Sequence, residues 1–320
     1  MFRRNILLPI IVALATFPTS SYAQVIKGKQ VAVTFDDLPV ISTLQTDDGW
    51  AKITRKLLGT IRRNKIPVVG FVNENKLYSN NKLNHNRVGL LKAWLDTGLE
   101  LGNHTFSHRS LHSTPLAEFE SDVLRGEKLL RELTTAKHAK LRYFRHPFLH
   151  TGRSLEVRQE FEAFLHTHGY TVAPVTIDNS DWIFARAYDN ARDANNQAAM
   201  KQIAGAYIPY MESTFTHFEN LSTKLFGRDI KQILLLHANS INADHFGELV
   251  AVLKNRGYTF VTLSEALTDN AYSSPDTTTG AWGISWIDRW ALTRKVPSGF
   301  FKGEPRTPAF VMKLAKIESE

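Results

Sequence analysis

VAVTFDDLPV, residues 31–40, carries an apolar strand pattern from Val31 through Phe35 straight into two adjacent acids and a proline. The simplest reading is a turn, because Asp and Pro stop strands and cap helices. Yet Asp36 and Asp37 stand where a buried strand delivers its last residues. Two like charges there need a purpose that the rest of the chain must supply.

Six more short apolar runs follow, at IPVVGFV (66–72), LELGN (99–103), LRYFR (141–145), YTVAPV (170–175), QILLLH (232–237) and YTFVTL (258–263). Between them lie helical patterns such as TPLAEFESDVLRGEKLLREL, with Thr114 placed to cap and Pro115 in the first turn. Strands alternating with helices predict a parallel β/α architecture, and seven such units fit a barrel. A doubly wound open sheet is the alternative, since periodicity does not reveal closure. One stretch breaks the rhythm. From Ile183 to Gly227 there is no strand pattern, and helical spacing recurs at Met200, Ile203, Tyr207, Met211, Phe215, Phe218 and Leu225. Pro209 is expected to kink or divide that helix. This insertion reads either as a wall beside the substrate or as a packing helix.

The first residues, MFRRNILLPIIVALATFPTSSYAQ, read as a secretory signal peptide. Arg3 and Arg4 form the basic end, Ile6 to Phe17 the apolar stretch, and Ser21-Tyr22-Ala23 the cleavage site, leaving Gln24 as the new terminus. An uncleaved anchor is the alternative. No other apolar run approaches the roughly 20 residues that span a bilayer, so no stable membrane insertion is expected after cleavage. With no cysteine, lipid attachment and disulfides are excluded, and an exported chain must fold on packing or around a metal. The 39 Lys and Arg exceed the 31 Asp and Glu, but the charge is spread without a basic block. That argues against a nucleic-acid partner.

The polar clusters collect at strand ends. After Asp36 and Asp37, the third strand runs into GNHTFSHRS with His104 and His108, and the fourth into FRHPF with Arg145 and Phe148. The fifth leads to DNSDW with Asp178, Asp181 and Trp182, and the sixth ends at His237. In a β/α barrel the carboxyl ends of strands converge on one mouth. Two imidazoles four residues apart on a helical turn grip one cation, and an acid from another strand end completes a two-His-one-carboxylate site with open positions. A second acid then serves as general base, and His237 as general acid.

The five ordered motifs TFDD, HTFSH, FRHPF, DNSDW and LLLH, spread over about residues 30–264, resemble the polysaccharide deacetylases of carbohydrate esterase family 4, the NodB-type homology domain. The resemblance implies a distorted (β/α)7 barrel and metal-dependent hydrolysis of N-acetyl, in some members O-acetyl, groups on glycans. It implies one divalent ion, zinc first, with cobalt or nickel as alternatives. Asp36 matches the family's base, Asp37 the ligand acid, His104 and His108 the ligand imidazoles, and His237 the acid. Arg145 matches the arginine that orients the base, the Phe148 N–H a donor to the oxyanion, Asp181 the acid that tunes the histidine, and Trp182 the wall around the acetyl methyl. Three departures mark a divergent subgroup: Phe148 is followed by Leu149-His150 instead of Gly, His237 by Ala238-Asn239, and Asp37 by Leu38-Pro39.

The resulting organisation is a signal peptide (1–23), a catalytic domain (24–269) with the helical insertion at about 183–227, and a C-terminal tail (270–320) packing on the barrel. His85, His112, His138, His166, His168, His217 and His245 read as surface or packing residues, while His146 and His150 flank the oxyanion motif. Trp282, Trp286 and Trp290 are spaced for one face of a helix, to pack on the barrel or to stack on sugar. The expected protein is a periplasmic or secreted hydrolase acting on an acetylated glycan. Alternatives are an amidohydrolase on a small C–N bond, a non-catalytic glycan-binding module, and a non-haem iron oxygenase, which needs neither a second acid nor His237.

Overall fold

The computed structural model describes residues 28–319. The expected signal peptide (1–23) and Gln24 lie outside them. Among the described residues nine strands occur in chain order: β1 Gln30–Leu38, β2 Val68–Val72, β3 Tyr78–Ser79, β4 Lys82–Leu83, β5 Glu100–Asn103, β6 Tyr143–Phe144, β7 Thr171–Val172, β8 Gln232–His237 and β9 Thr259–Phe260. All seven expected strands are present, and only the small antiparallel β3–β4 hairpin was not anticipated.

The seven form one all-parallel sheet in the order β7-β6-β5-β2-β1-β8, with β9 paired to the start of β1. Helical crossovers explain the parallel pairing, because a parallel return needs a long connection. Past β7 the chain stays extended and changes partner. Ala173 N–H donates to the Phe144 carbonyl at 2.8 Å, and Ile177 N–H donates to Ile233 at 3.0 Å. Ile177 also forms an isolated parallel bridge with Leu234 of β8. This thin seam closes the curved sheet into a distorted barrel.

Side-chain alternation sorts the residues of β1. Val31, Val33 and Phe35 pack outward with the helices, whereas Ala32 joins Val69, Phe71, Tyr143, Ala173 and Ile233 from other strands in the barrel interior. Period-two alternation puts Thr34 and Asp36 on that inner face. The barrel therefore carries Asp36 to its own mouth.

The insertion is two helices, Asp181–Asp193 and Gln197–Phe226. Of the two outcomes expected at Pro209, division does not occur: the second helix runs unbroken through it. Pro209 sits on the exposed side of the helix, where the carbonyl its missing N–H leaves unpaired is open to solvent. Ile203, Tyr207, Met211, Phe215 and Phe218 are buried, so this helix packs on the barrel. A second correction concerns Thr114. The helix Leu116–Arg125 starts after Pro115 without a side-chain cap, and Gly126 separates it from the helix Lys128–Thr135.

In the tail, the helix Trp286–Thr293 buries Trp286 and Trp290, and the Trp286 N–H donates to the Val175 carbonyl at 2.7 Å. Trp282 precedes this helix and is 78 % exposed, so the three tryptophans do not share one face. Among the described residues no helix is long and apolar enough to cross a membrane.

Candidate active site

In a regular strand Asp36 and Asp37 point to opposite faces. Here β1 shifts register against β2 between Phe35 and Leu38, and Asp37 adopts φ 67°. Asp is among the few residues that tolerate this left-handed conformation. Alternation fails at the bulge, and both carboxylates end buried in one mouth, 3 % and 5 % exposed.

The histidines arrive by a loop, not by the helical turn the spacing suggested. Residues 104–109 are irregular, with positive φ at Thr105 and His108. Asp122 holds this loop: its main-chain oxygen accepts from Phe106 N–H at 3.1 Å, and its carboxylate accepts from Ser107 N–H and Oγ. Gly126 lets the helix come this close, because a Cβ there would lie 2.5 Å from the Phe106 nitrogen. The two imidazole centres end 4.9 Å apart.

One ligand atom each from Asp37, His104 and His108 falls within 4.8 Å of the others. His104 Nδ1 bonds the Arg145 carbonyl at 2.8 Å, which orients the ring and leaves Nε2 for the site. Burial lowers the pKa of both imidazoles, favouring the neutral form that ligates metals. Asp37 Oδ1 is buried without a hydrogen bond, 3.5 Å from His108 Nε2. Burial opposes charge on Asp37, yet Lys76 and His108 hold its carboxyl well below the usual range. A carboxylate with an open oxygen beside two neutral imidazoles fits a divalent cation.

Asp36 is the register neighbour of His237 on the adjacent strand. Burial pushes the Asp36 carboxyl up to about 6, against the pull of Arg145. Arg145, fully buried, reaches Asp36 Oδ2 at 3.4 Å and donates to Thr34 Oγ1 at 3.0 Å. On the other strand, His237 Nδ1 bonds Asp181 Oδ1 at 2.6 Å. Burial disfavours the imidazolium, but Asp181 outweighs it and raises the pKa to about 9. Between those two values Asp36 is ionised while His237 is protonated, the division that acid–base catalysis requires.

Asp181 is itself fully buried, and its other oxygen accepts from the His237 N–H at 2.8 Å, Asn239 Nδ2 at 3.1 Å and Asn242 Nδ2 at 2.6 Å. Tyr207 from the insertion donates to Asn242 Oδ1 at 2.6 Å. Asn242 and Lys76 were not singled out in the sequence; Tyr207 was noted only for its helical spacing and Asn239 only as a departure after His237. Only Asn239 carried a signal, as the helix cap directly after the strand that ends at His237.

Phe148 has φ 57° and ψ 14°, with its ring 54 % exposed and 4.4 Å from the His108 ring. Its N–H has no hydrogen-bond acceptor among the described residues. His150 bonds Ser110 Oγ at 2.7 Å and stacks on His112 at 3.9 Å. His146 does not line the cleft: it is buried against Phe144 and Phe161. Trp182 lies at the mouth's edge, 43 % exposed. A cavity of about 780 Å³ lies beside the hairpin and holds none of the acid, base or metal-fitting residues.

Comparison with known proteins follows this geometry. The polysaccharide deacetylase family model matches residues 24–173. Among solved structures, a chitin deacetylase from the fungal pathogen Colletotrichum lindemuthianum is 21 % identical. The match covers 76 % of this chain and 89 % of that one, with a TM-score of 0.51. A mutant of a family 4 carbohydrate esterase pseudoenzyme from Bacillus anthracis is 15 % identical, covering 75 % of this chain and 67 % of that one, at a TM-score of 0.50. At such identities these likenesses establish the fold. No curated protein matches the chain.

Proposed function

We propose, for a chain that over residues 24–173 belongs to the polysaccharide deacetylase family, an exported metal-dependent enzyme that removes N-acetyl groups from a glycan. The observation that carries this reading is the register pair Asp36 and His237, set beside Asp37, His104 and His108. Acid, base and cation-fitting residues meet in one mouth.

Asp37, His104 and His108 would hold the ion, zinc first. It would polarise the acyl carbonyl and acidify a water. Asp36 takes the proton as the water oxygen bonds to the acetyl carbon, and Arg145 keeps the carboxylate aimed. The Phe148 N–H donates to the oxygen that gains charge. When the C–N bond breaks, its electron pair stays on nitrogen and His237 delivers a proton there. Acetate and a free amino sugar leave.

The same reading makes residues 1–23 a cleaved signal and places the protein in the periplasm or outside the cell, with domain limits at 24–269 and 270–320. A mature amino terminus at Gln24 tests the first point. A glycan is favoured over a small amide because Phe148 and Trp182 are exposed at the rim, where sugar faces stack. A pure binding module has no use for a protonated His237 beside an ionised Asp36. The decisive experiment is acetate release from a panel of acetylated glycans, with the metal stripped and restored. Release that ignores the metal, or no release from any glycan, overturns the proposal.

A further inference from the structure

We propose that the cleft beside Trp182 is a subsite for a glycan unit bearing an anionic substituent, next to the unit that is deacetylated; this rests on the deacetylase reading. The cleft encloses about 620 Å³ between residues 41–45, the helix Asp181–Asp193 and residues 315–317 near the carboxyl end. It is joined to the catalytic pair at two points. Trp182 directly follows Asp181, and the Ile41 N–H donates at 2.8 Å to the carbonyl of Ala238, which directly follows His237. Under this proposal a ligand lying there extends from the reacting centre past Trp182.

The lining divides into an apolar wall and a charged one. Ile41 and Trp182 are 39 % and 43 % exposed, a platform for the C–H face of a sugar ring. Arg186 stands one helical turn beyond Trp182, on the same side of the helix, and Lys316 faces it from the chain end. Both are exposed, and neither side chain makes an ion pair or hydrogen bond among the described residues.

The acid in this lining does not offset them. Asp189 is buried and already accepts from Ser42 Oγ at 2.6 Å, Thr43 N–H at 2.8 Å and Arg192 Nη1 at 2.7 Å, and from Ser240. Its charge is consumed inside the wall. Two cations remain facing the opening, and such a cleft concentrates anions. Their mounts are firm. The helix Ala309–Ala315 is tied to the helix bearing Arg186 by Asn190 Nδ2 donating to the Leu314 carbonyl at 2.8 Å, and Lys316 caps that helix with φ 58°.

The test uses the metal-loaded protein and two acetylated tetrasaccharides of equal length, one neutral and one with a carboxylate on every second sugar. Acetate release is expected to favour the acidic substrate through KM, by about tenfold in kcat/KM at low salt, and high salt should erode the preference. Arg186→Ala with Lys316→Ala should abolish the preference and leave kinetics on the neutral substrate unchanged. Equal rates on both substrates, or equal losses in the double variant, overturn the subsite. If neither substrate releases acetate, the deacetylase reading fails on its own. Calorimetric binding of the acidic tetrasaccharide to wild type and double variant then reads the cleft separately. Weaker binding in the variant supports the subsite, and identical binding removes it.

Discussion

Gly283 lies so close to Phe148 that a Cβ added to it would fall 1.7 Å from the Phe148 carbonyl oxygen and 2.8 Å from its carbon. No side chain fits there, so glycine is what allows the tail to rest on this loop. Nearby, His112 Nδ1 bonds the Ala281 carbonyl at 3.2 Å. A segment far beyond the family match thereby presses on the residue whose N–H, in the proposed reaction, donates to the oxyanion.

Gly283→Ala is accordingly expected to displace Phe148 and lower kcat by on the order of 10- to 100-fold, with little change in KM, since small misplacements at a reacting centre are costly. Steady-state kinetics with a thermal melt and metal analysis check this. A folded, metal-loaded Gly283→Ala enzyme with wild-type kcat would show that the tail does not position the loop.

Lys76 Nζ lies 3.4 Å from Asp37 Oδ1 and donates to the Asp37 main-chain carbonyl at 3.0 Å. An ammonium at that range keeps Asp37 ionised, and it also repels a divalent cation, because partly buried charges interact at about 4 kcal/mol per unit pair near 4 Å. Lys76→Met should tighten zinc binding by about tenfold or more, by competition with a chromogenic chelator. Weaker binding would mean that Lys76 preorganises Asp37 for the ion instead of competing with it.

The adjacent acids separate by their partners. Asp37→Asn, or His104→Ala with His108→Ala, should empty the metal site. Asp36→Asn should keep about one metal per chain yet lose on the order of 100-fold or more in kcat, as loss of a general base does. Elemental analysis paired with kinetics decides, and a metal-free Asp36→Asn beside a metal-loaded Asp37→Asn would reverse the two roles.

The barrel was legible because each strand is a short apolar run bounded by turn residues, a local pattern. The site was legible because the barrel gathers strand ends, so Asp36, His104, Arg145, Asp181 and His237 were found by position in the chain. Backbone conformation was not. The left-handed Asp37 that brings adjacent carboxylates together, and the loop that replaces a helical turn at His104 and His108, are set by tertiary partners such as Asp122 and Gly126. Contacts between distant segments, such as Gly283 on Phe148 or Lys76 on Asp37, leave no periodic trace. Trp282 misled because spacing of four is helical only where a helix runs, and this one starts at Trp286.

In the proposed reaction the acid limb rests on His237. Its pKa reaches about 9 although burial acts to lower it, because the Asp181 carboxylate favours the imidazolium. An imidazole with a raised folded-state pKa is protonated below that value and loses its proton as pH climbs through it. The rate should therefore fall on the alkaline side near that pH. Asp181→Asn removes the strongest favouring charge, leaving burial opposed only by Asp37 and Asp36, so the alkaline limb should move to lower pH. An amide's amine departs only once protonated, whereas an activated aryl acetate needs no such help. His237→Ala should then cost on the order of 100-fold or more on the N-acetyl substrate and far less on the ester. A pH series on both substrates, for wild type and both variants, measures this. Equal losses on amide and ester would make His237 a positioning residue, and an unmoved alkaline limb in Asp181→Asn would detach Asp181 from the proton it is held to guard.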